Sequence, residues 1–223
     1  HLLATIGVTD NVTIVGDTRF DRVLDIHRAA RPLPLVEAFA TDHCVLVAGS
    51  TWAPDEDIII DYFNRHPELR LVIAPHVVSE QHLAEIEQKM ERPVVRYSHT
   101  TPEEAAHYDC LIIDNYGLLS SIYRYARVAY IGGGFGVSIH NVPEAAVYGV
   151  PVVFGPNNKK FREAQDLLSL GGAFEIHTAD DFNALLDDFS AHPDRVDAAG
   201  RAAGTYIHDN AGAGDIIFRH IWG

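Results

Sequence analysis

Short unbroken apolar runs alternate along this chain with longer stretches in which apolar residues recur every three or four positions. The runs are Cys44 to Ala48, Leu71 to Ala74, Val94-Val95, Leu111 to Ile113, Val128 to Ile131 and Val152 to Phe154, with Ala173 to Ile176 a last strand interrupted by Glu175. Such runs suit parallel strands covered on both faces. A further short strand is expected from Asn11 to Val15, ending at Gly16-Asp17. Helices are predicted between them. Asp17 or Thr18 caps one through Ala29, Leu35 to Ala40 forms a short one, Pro54 to Arg65 follows, and Ser79 caps one to about Met90. Tyr116 to Tyr125 places Leu118, Leu119, Ile122 and Tyr123 at helical spacing. Further helices are predicted from Asn141 to a stop at Gly149, and from Lys160 to Leu168 ahead of Gly171-Gly172. Three more run from Thr178, from Pro193 through Ile207, and from Asp215 to Trp222. Strand alternating with helix predicts an α/β fold with a doubly wound parallel sheet.

In such a sheet, ligands bind beyond the carboxyl ends of the strands. Four loops qualify: Gly49 to Trp52, Pro75-His76, Asp114 to Gly117, and Gly132 to Glu144. The last is the richest. Gly132, Gly133 and Gly134 follow a buried run, and glycine lets a ligand approach the backbone closely. Ser138, His140, Asn141 and Glu144 then crowd polar groups into a few residues. Strand, glycine loop and helix start present unpaired N–H groups to an anion. Asn141 with Glu144 also fits a capping box, which needs no ligand, and the residues leave both roles open for Glu144. Ser50 and Thr51 are likewise either caps or ligand contacts. No GxGxxG or Walker A sequence is present, which argues against dinucleotide and P-loop sites.

The segment from Gly132 to Phe161 resembles the donor-binding core of bacterial 3-deoxy-D-manno-octulosonic acid (Kdo) transferases. Ala48-Gly49-Ser50-Thr51-Trp52, Ile73-Ala74-Pro75-His76 and Gly117-Leu118-Leu119-Ser120-Ser121-Ile122-Tyr123 extend the likeness in the family order. The resemblance implies the Rossmann-like C-terminal half of a GT-B glycosyltransferase, with residues 1–40 as interdomain linker and helices and 41–223 as the CMP-Kdo-binding domain. It implies donor contacts from Gly49, Ser50, Thr51, Pro75, His76, Gly117, Leu118, Gly133, Gly134, Ser138, His140, Asn141 and Glu144. Glu144 would serve the ribose hydroxyls, helix N–H groups near Ser138 to Asn141 the phosphate, and a slot near Tyr116 to Leu118 the base. The acceptor would be a lipid A precursor, with no cofactor and no metal. The catalytic base, membrane anchor and acceptor site are expected in an upstream domain, so this piece, which opens at His1, is expected to be inactive alone. The full protein would work at the cytoplasmic face of the bacterial inner membrane. Two departures stand out: His76 follows Pro75 where the family commonly has arginine, and Asp114-Asn115-Tyr116 replaces the frequent Gly-Glu-Leu. A non-catalytic nucleotide-binding module and one half of a nucleotide-sugar epimerase are the competing readings.

Composition adds constraints. The 223 residues are enough for one large domain. Seventeen basic residues against 31 acidic give a formal charge of −14, which disfavours nucleic acid and a broad grip on anionic lipid. It leaves room for a local basic patch, and the one pair of adjacent lysines is Lys159-Lys160. Cys44 and Cys110 lie at strand edges, where reduced core thiols are expected. The final helix is expected to expose apolar residues, since GT-B chains often return it to the other domain.

Overall fold

A computed structural model describes residues 2–10 and 12–223. Seven strands form one sheet: β1 (Cys44–Thr51), β2 (Leu69–Pro75), β3 (Val94–Arg96), β4 (Cys110–Ile112), β5 (Val128–Ile131), β6 (Val152–Phe154) and β7 (Ala173–Glu175). Their order is β3-β4-β2-β1-β5-β6-β7, and every pairing is parallel. Helices before β2 are α1 (Leu2–Thr5), α2 (Thr18–Ala29), α3 (Pro34–Ala40) and α4 (Ala53–Arg65). Between β2 and β6 come α5 (Glu80–Lys89), α6 (Pro102–Ala105), α7 (Leu119–Ile122) and α8 (Pro143–Ala146). After β6 come α9 (Arg162–Leu170), α10 (Ala179–Ala191), α11 (Pro193–Asp209) and α12 (Ala213–Trp222).

Alternation along each strand sorts the core into two layers. Val45, Val47, Val72, Ala129, Ile131, Val152 and Phe154 face one layer, with Phe20 and Val23 of α2, Phe39 of α3, Leu167 of α9 and Ile207 of α11. Leu46, Ala48, Leu71, Ile73, Tyr130 and Val153 face the other, with Ile59 and Phe63 of α4, Ile86 of α5 and Phe182 of α10. Both faces are covered, which is why the central strands carry no polar alternation. Local signals act as the sequence suggests at several helix ends. Asp17 caps α2, Ser79 caps α5, Thr178 with Asp181 makes a capping box on α10, and Gly171 closes α9 at φ 72°.

Other expectations are corrected. Residues 12–15 form no strand, and Asn11 lies outside the described residues. The helix expected over Tyr116 to Tyr125 shrinks to α7 and a 3₁₀ turn, Tyr123–Tyr125, because Gly117 sits at φ 92° and ends helical geometry ahead of it. The helix expected from Asn141 is also one turn long. Its N-cap is Val142, with no side-chain cap, so Asn141 and Glu144 form no capping box there. The strand leading into α4 runs on to Thr51, and the N-cap is Trp52 rather than Ser50 or Thr51. Cys110 is buried, but Cys44 is exposed. On α12, Phe218, Ile221 and Trp222 are exposed and Ile216 and Ile217 half-buried, so the expected apolar stripe is present. Among the described residues, no helix is long and apolar enough to cross a membrane.

Helix α11 reaches the sheet layer through glycine. A Cβ on Gly200 would overlap the carbonyl oxygen of Gly149 and stand 3.0 Å from its carbon. Alanine gains about 1 kcal/mol of helix propensity over glycine. Overpacking costs about 1–3 kcal/mol, and a clash with rigid backbone belongs at the upper end. Gly200→Ala is therefore expected to lower the denaturant midpoint at unchanged slope.

Candidate functional site

The order of the strands reverses at β1 and β5, and the loops that leave their carboxyl ends meet there. They fit because neither carries side chains in the way. A Cβ on Gly132 would lie 2.6 Å from the Cα of Thr51, and one on Gly134 would lie 2.5 Å from the nitrogen of Gly155. Gly133 adopts φ 90°. Opposite it, Ser50 sits at φ 53°, in left-handed geometry that non-glycine residues rarely take, at an irregularity in the β1–β2 register.

Asp55, buried in the first turn of α4, holds this junction. Its carboxylate accepts from the amide of Trp52 at 2.9 Å, the hydroxyl of Tyr130 at 2.8 Å and the amide of Gly133 at 2.9 Å. Burial, and then the charge of Asp55, pushes the Tyr130 phenol well above its usual range, so it stays a donor. Beside Asp55, Glu56 is fully buried and accepts from Thr51 at 3.0 Å. The same oxygen lies 2.9 Å from Nε2 of His82. By position, Asp55 and Glu56 are first-turn acids of α4 that would suit the helix dipole. They are instead internal acceptors, a role that depends on partners far away along the chain.

Three rings meet above this floor. Trp52 stacks on His76 with centroids 4.6 Å apart, and His76 stacks on His140 at 4.5 Å. Nε1 of Trp52 is 3.4 Å from Nε2 of His140. They edge a cleft of about 380 Å³ lined by Trp52, Pro54, Gly133, Gly136, Val137, Ser138 and His140. Of the residues expected to bind a donor, Gly133, Ser138 and His140 line it, and His76 joins through its stack. Gly49, Ser50, Thr51 and Gly134 form the backbone behind it, and Pro75 is buried at the end of β2. Gly117, Leu118, Asn141 and Glu144 do not line it. Trp52 is the contact that sequence reading missed. A tryptophan directly after a strand end, 42% exposed, was the available signal.

Glu144 is half-buried and accepts from Nδ2 of Asn141 at 2.6 Å. Burial raises its pKa above the usual carboxylate range, against the opposing pull of Asn141 and Arg22. Burial, and then the charge of Glu144, holds the phenol of Tyr123 well above its usual range, and a Cβ on Gly49 would overlap the Tyr123 hydroxyl. Of the loop amides from 138 to 141, those of Ile139 and His140 already donate to the carbonyls of Asn157 and Gly132. Residues 138–141, expected to offer helix-start amides to an anion, lie in a loop ahead of the one-turn α8.

An all-parallel sheet with a glycine-floored cleft at its reversal point is the architecture of one half of a GT-B glycosyltransferase. A 3-deoxy-D-manno-octulosonic acid transferase of Bordetella pertussis is 28% identical over 214 residues, covering 90% of this chain and 49% of its own length. The C-terminal CMP-Kdo binding domain of WaaA from Acinetobacter baumannii superposes with a TM-score of 0.64 at 20% identity, covering 83% of this chain and 96% of that one. An S. aureus MnaA–UDP structure superposes at 0.68 with 15% identity, covering 99% of this chain and 56% of that one. No protein-family model matches. The chain is similar in sequence to curated Kdo transferases and in fold to the C-terminal CMP-Kdo binding domain of WaaA. It spans less than half the length of the curated Kdo transferases it matches.

Two outcomes test this geometry. Asp55→Ala strands the Tyr130 hydroxyl and the Gly133 amide, at about 1–3 kcal/mol for each unsatisfied buried group. Equilibrium unfolding should show a loss well beyond the ~0.5–2 kcal/mol of a simple lost cap. His140 is held below the usual imidazole range by burial first and then by His76. The unfolded chain therefore takes up this proton first, so His140 makes stability fall as pH drops below about 6.5. NMR titration should place its midpoint below that of a free imidazole.

Proposed function

We propose that this chain is the donor-binding half of a glycosyltransferase that moves Kdo from CMP-Kdo to a lipid A precursor. The observation that carries the reading is the junction of the β1 and β5 loops. There Trp52 and His140, with His76 stacked between them, edge a cleft backed by glycines whose backbone admits no side chain. The amides of Val137 and Ser138, which donate to no acceptor among the described residues, suit a phosphate, and the stacked rings offer flat apolar surface to the rest of a nucleotide. Glu144 is the acceptor for the ribose hydroxyls, with Asn141 orienting it. Gly117 and Leu118 border the base. The names of the sequence relatives supply the identity of the sugar. The base that activates the acceptor, the acceptor site and the contact with the inner membrane are assigned to the part of the protein that precedes this domain.

The test is nucleotide binding. With no capping box at α8, Glu144→Ala should leave the melting temperature close to wild type. CMP affinity should fall roughly 10- to 100-fold, the equivalent of one or two charge-assisted hydrogen bonds. Glu144→Gln should fall between the two. Calorimetric titration with CMP measures both, and unchanged affinity in Glu144→Ala would remove it from the ribose site.

A further inference from the structure

The cleft does not end at Val137. That residue, exposed at the tip of the glycine loop, is shared with a second cavity of about 300 Å³ whose wall carries Lys159, Lys160, Glu175 and His177. Lysine is scarce here: the chain has Lys89, Lys159 and Lys160, within a formal charge of −14. Lys89 pairs with Asp57 at 2.7 Å. Lys159 and Lys160 are exposed and form no ion pair among the described residues. An acidic protein that leaves two adjacent ammonium groups unneutralised beside its cleft concentrates positive potential there.

The loop that presents them is built rather than loose. The fully buried Asn158 donates to the carbonyl of Gly155 at 3.0 Å and to the carboxylate of Glu175, and it accepts from Gln165 at 2.6 Å. Asn157 stitches the loop to the glycine turn: its amide donates to Gly134 O at 3.0 Å and its side chain to Gly136 O at 2.6 Å. Glu175, the one carboxylate on the cavity wall, is occupied by Asn158 and by His177, 2.8 Å away. The wall is therefore net positive even with His177 neutral.

We propose that this cavity is the subsite for the carboxylate of the transferred sugar, with Lys159 and Lys160 as its specificity-determining residues. The inference rests on the donor reading above. An ulosonic acid bonded to a nucleotide carries its carboxylate on the anomeric carbon, so the donor presents two anions, phosphate and carboxylate, a few bonds apart. The glycine loop can serve one of them, and the lysine pair, one residue of lining further on, serves the other. A neutral hexose on the same nucleotide would leave both ammonium groups without a partner, so the pair selects sugar acids.

The experiment is calorimetric titration of the intact protein and its Lys159→Gln/Lys160→Gln variant with CMP and with CMP-Kdo. The expected result is unchanged CMP affinity with a loss of roughly 10- to 100-fold for CMP-Kdo. Lys159→Arg/Lys160→Arg should recover most of it. Unchanged CMP-Kdo affinity overturns the proposal. An equal loss for both ligands also overturns it, since the lysines would then act on the nucleotide. Failure of the wild-type protein to bind CMP at all would instead sink the donor reading, and the subsite with it. Thermal melts should match throughout, because both side chains are exposed.

Discussion

One carboxylate ties together the parts from which the site is made. Asp55 reaches the strand end through Trp52, the neighbouring strand through Tyr130 and the glycine loop through Gly133. Each donor is a group that burial would otherwise leave unsatisfied. A buried carboxylate is tolerated when several donors surround it, and these three supply that condition. The position of the glycine loop, and with it that of the His140 ring, follows from this one constraint. The positive φ of Ser50 is the local strain that lets the β1 loop come close enough.

Much of the architecture could be read along the chain, because the determinants were local. The apolar runs from Val45 to Ala48 and from Val128 to Ile131 had to be buried strands, and Asp17, Ser79, Thr178 and Gly171 acted at the helix ends they marked. The misreadings share a cause. Asn141 and Glu144 have the spacing of a capping box, but α8 starts one residue late and the pair bonds side chain to side chain. Asp55 and Glu56 match a favourable first turn, yet their partners, Tyr130 and His82, come from elsewhere in the sequence. Val12 to Val15 has strand-like composition but pairs with no strand of the sheet. Spacing alone reports what a residue can do with its neighbours, not what the fold brings to it.

The site was legible to a similar degree. Of the residues expected at the strand ends, Gly133, Ser138 and His140 meet in one cleft, whereas Gly117, Leu118, Asn141 and Glu144 do not line it. Trp52 was passed over because a lone exposed tryptophan has many explanations until two histidines from other loops are seen stacked against it. Where the family commonly has arginine, this chain builds a ring stack around His76. That exchanges a permanent charge for aromatic surface.

The central strand also sets a temporal order on folding. β1 lies between β2 and β5, and its pairing with β5 joins Leu46 to Val128. A chain emerging from its amino end can pair β1 with β2 early, but one edge of β1 stays open until the middle of the chain arrives. Pairings this distant in sequence, in a wholly parallel sheet, belong to slow-folding topologies with unpaired strand edges in the meantime. The glycine loop follows β5 directly, so the cleft takes shape in the same step that pairs the second edge of β1.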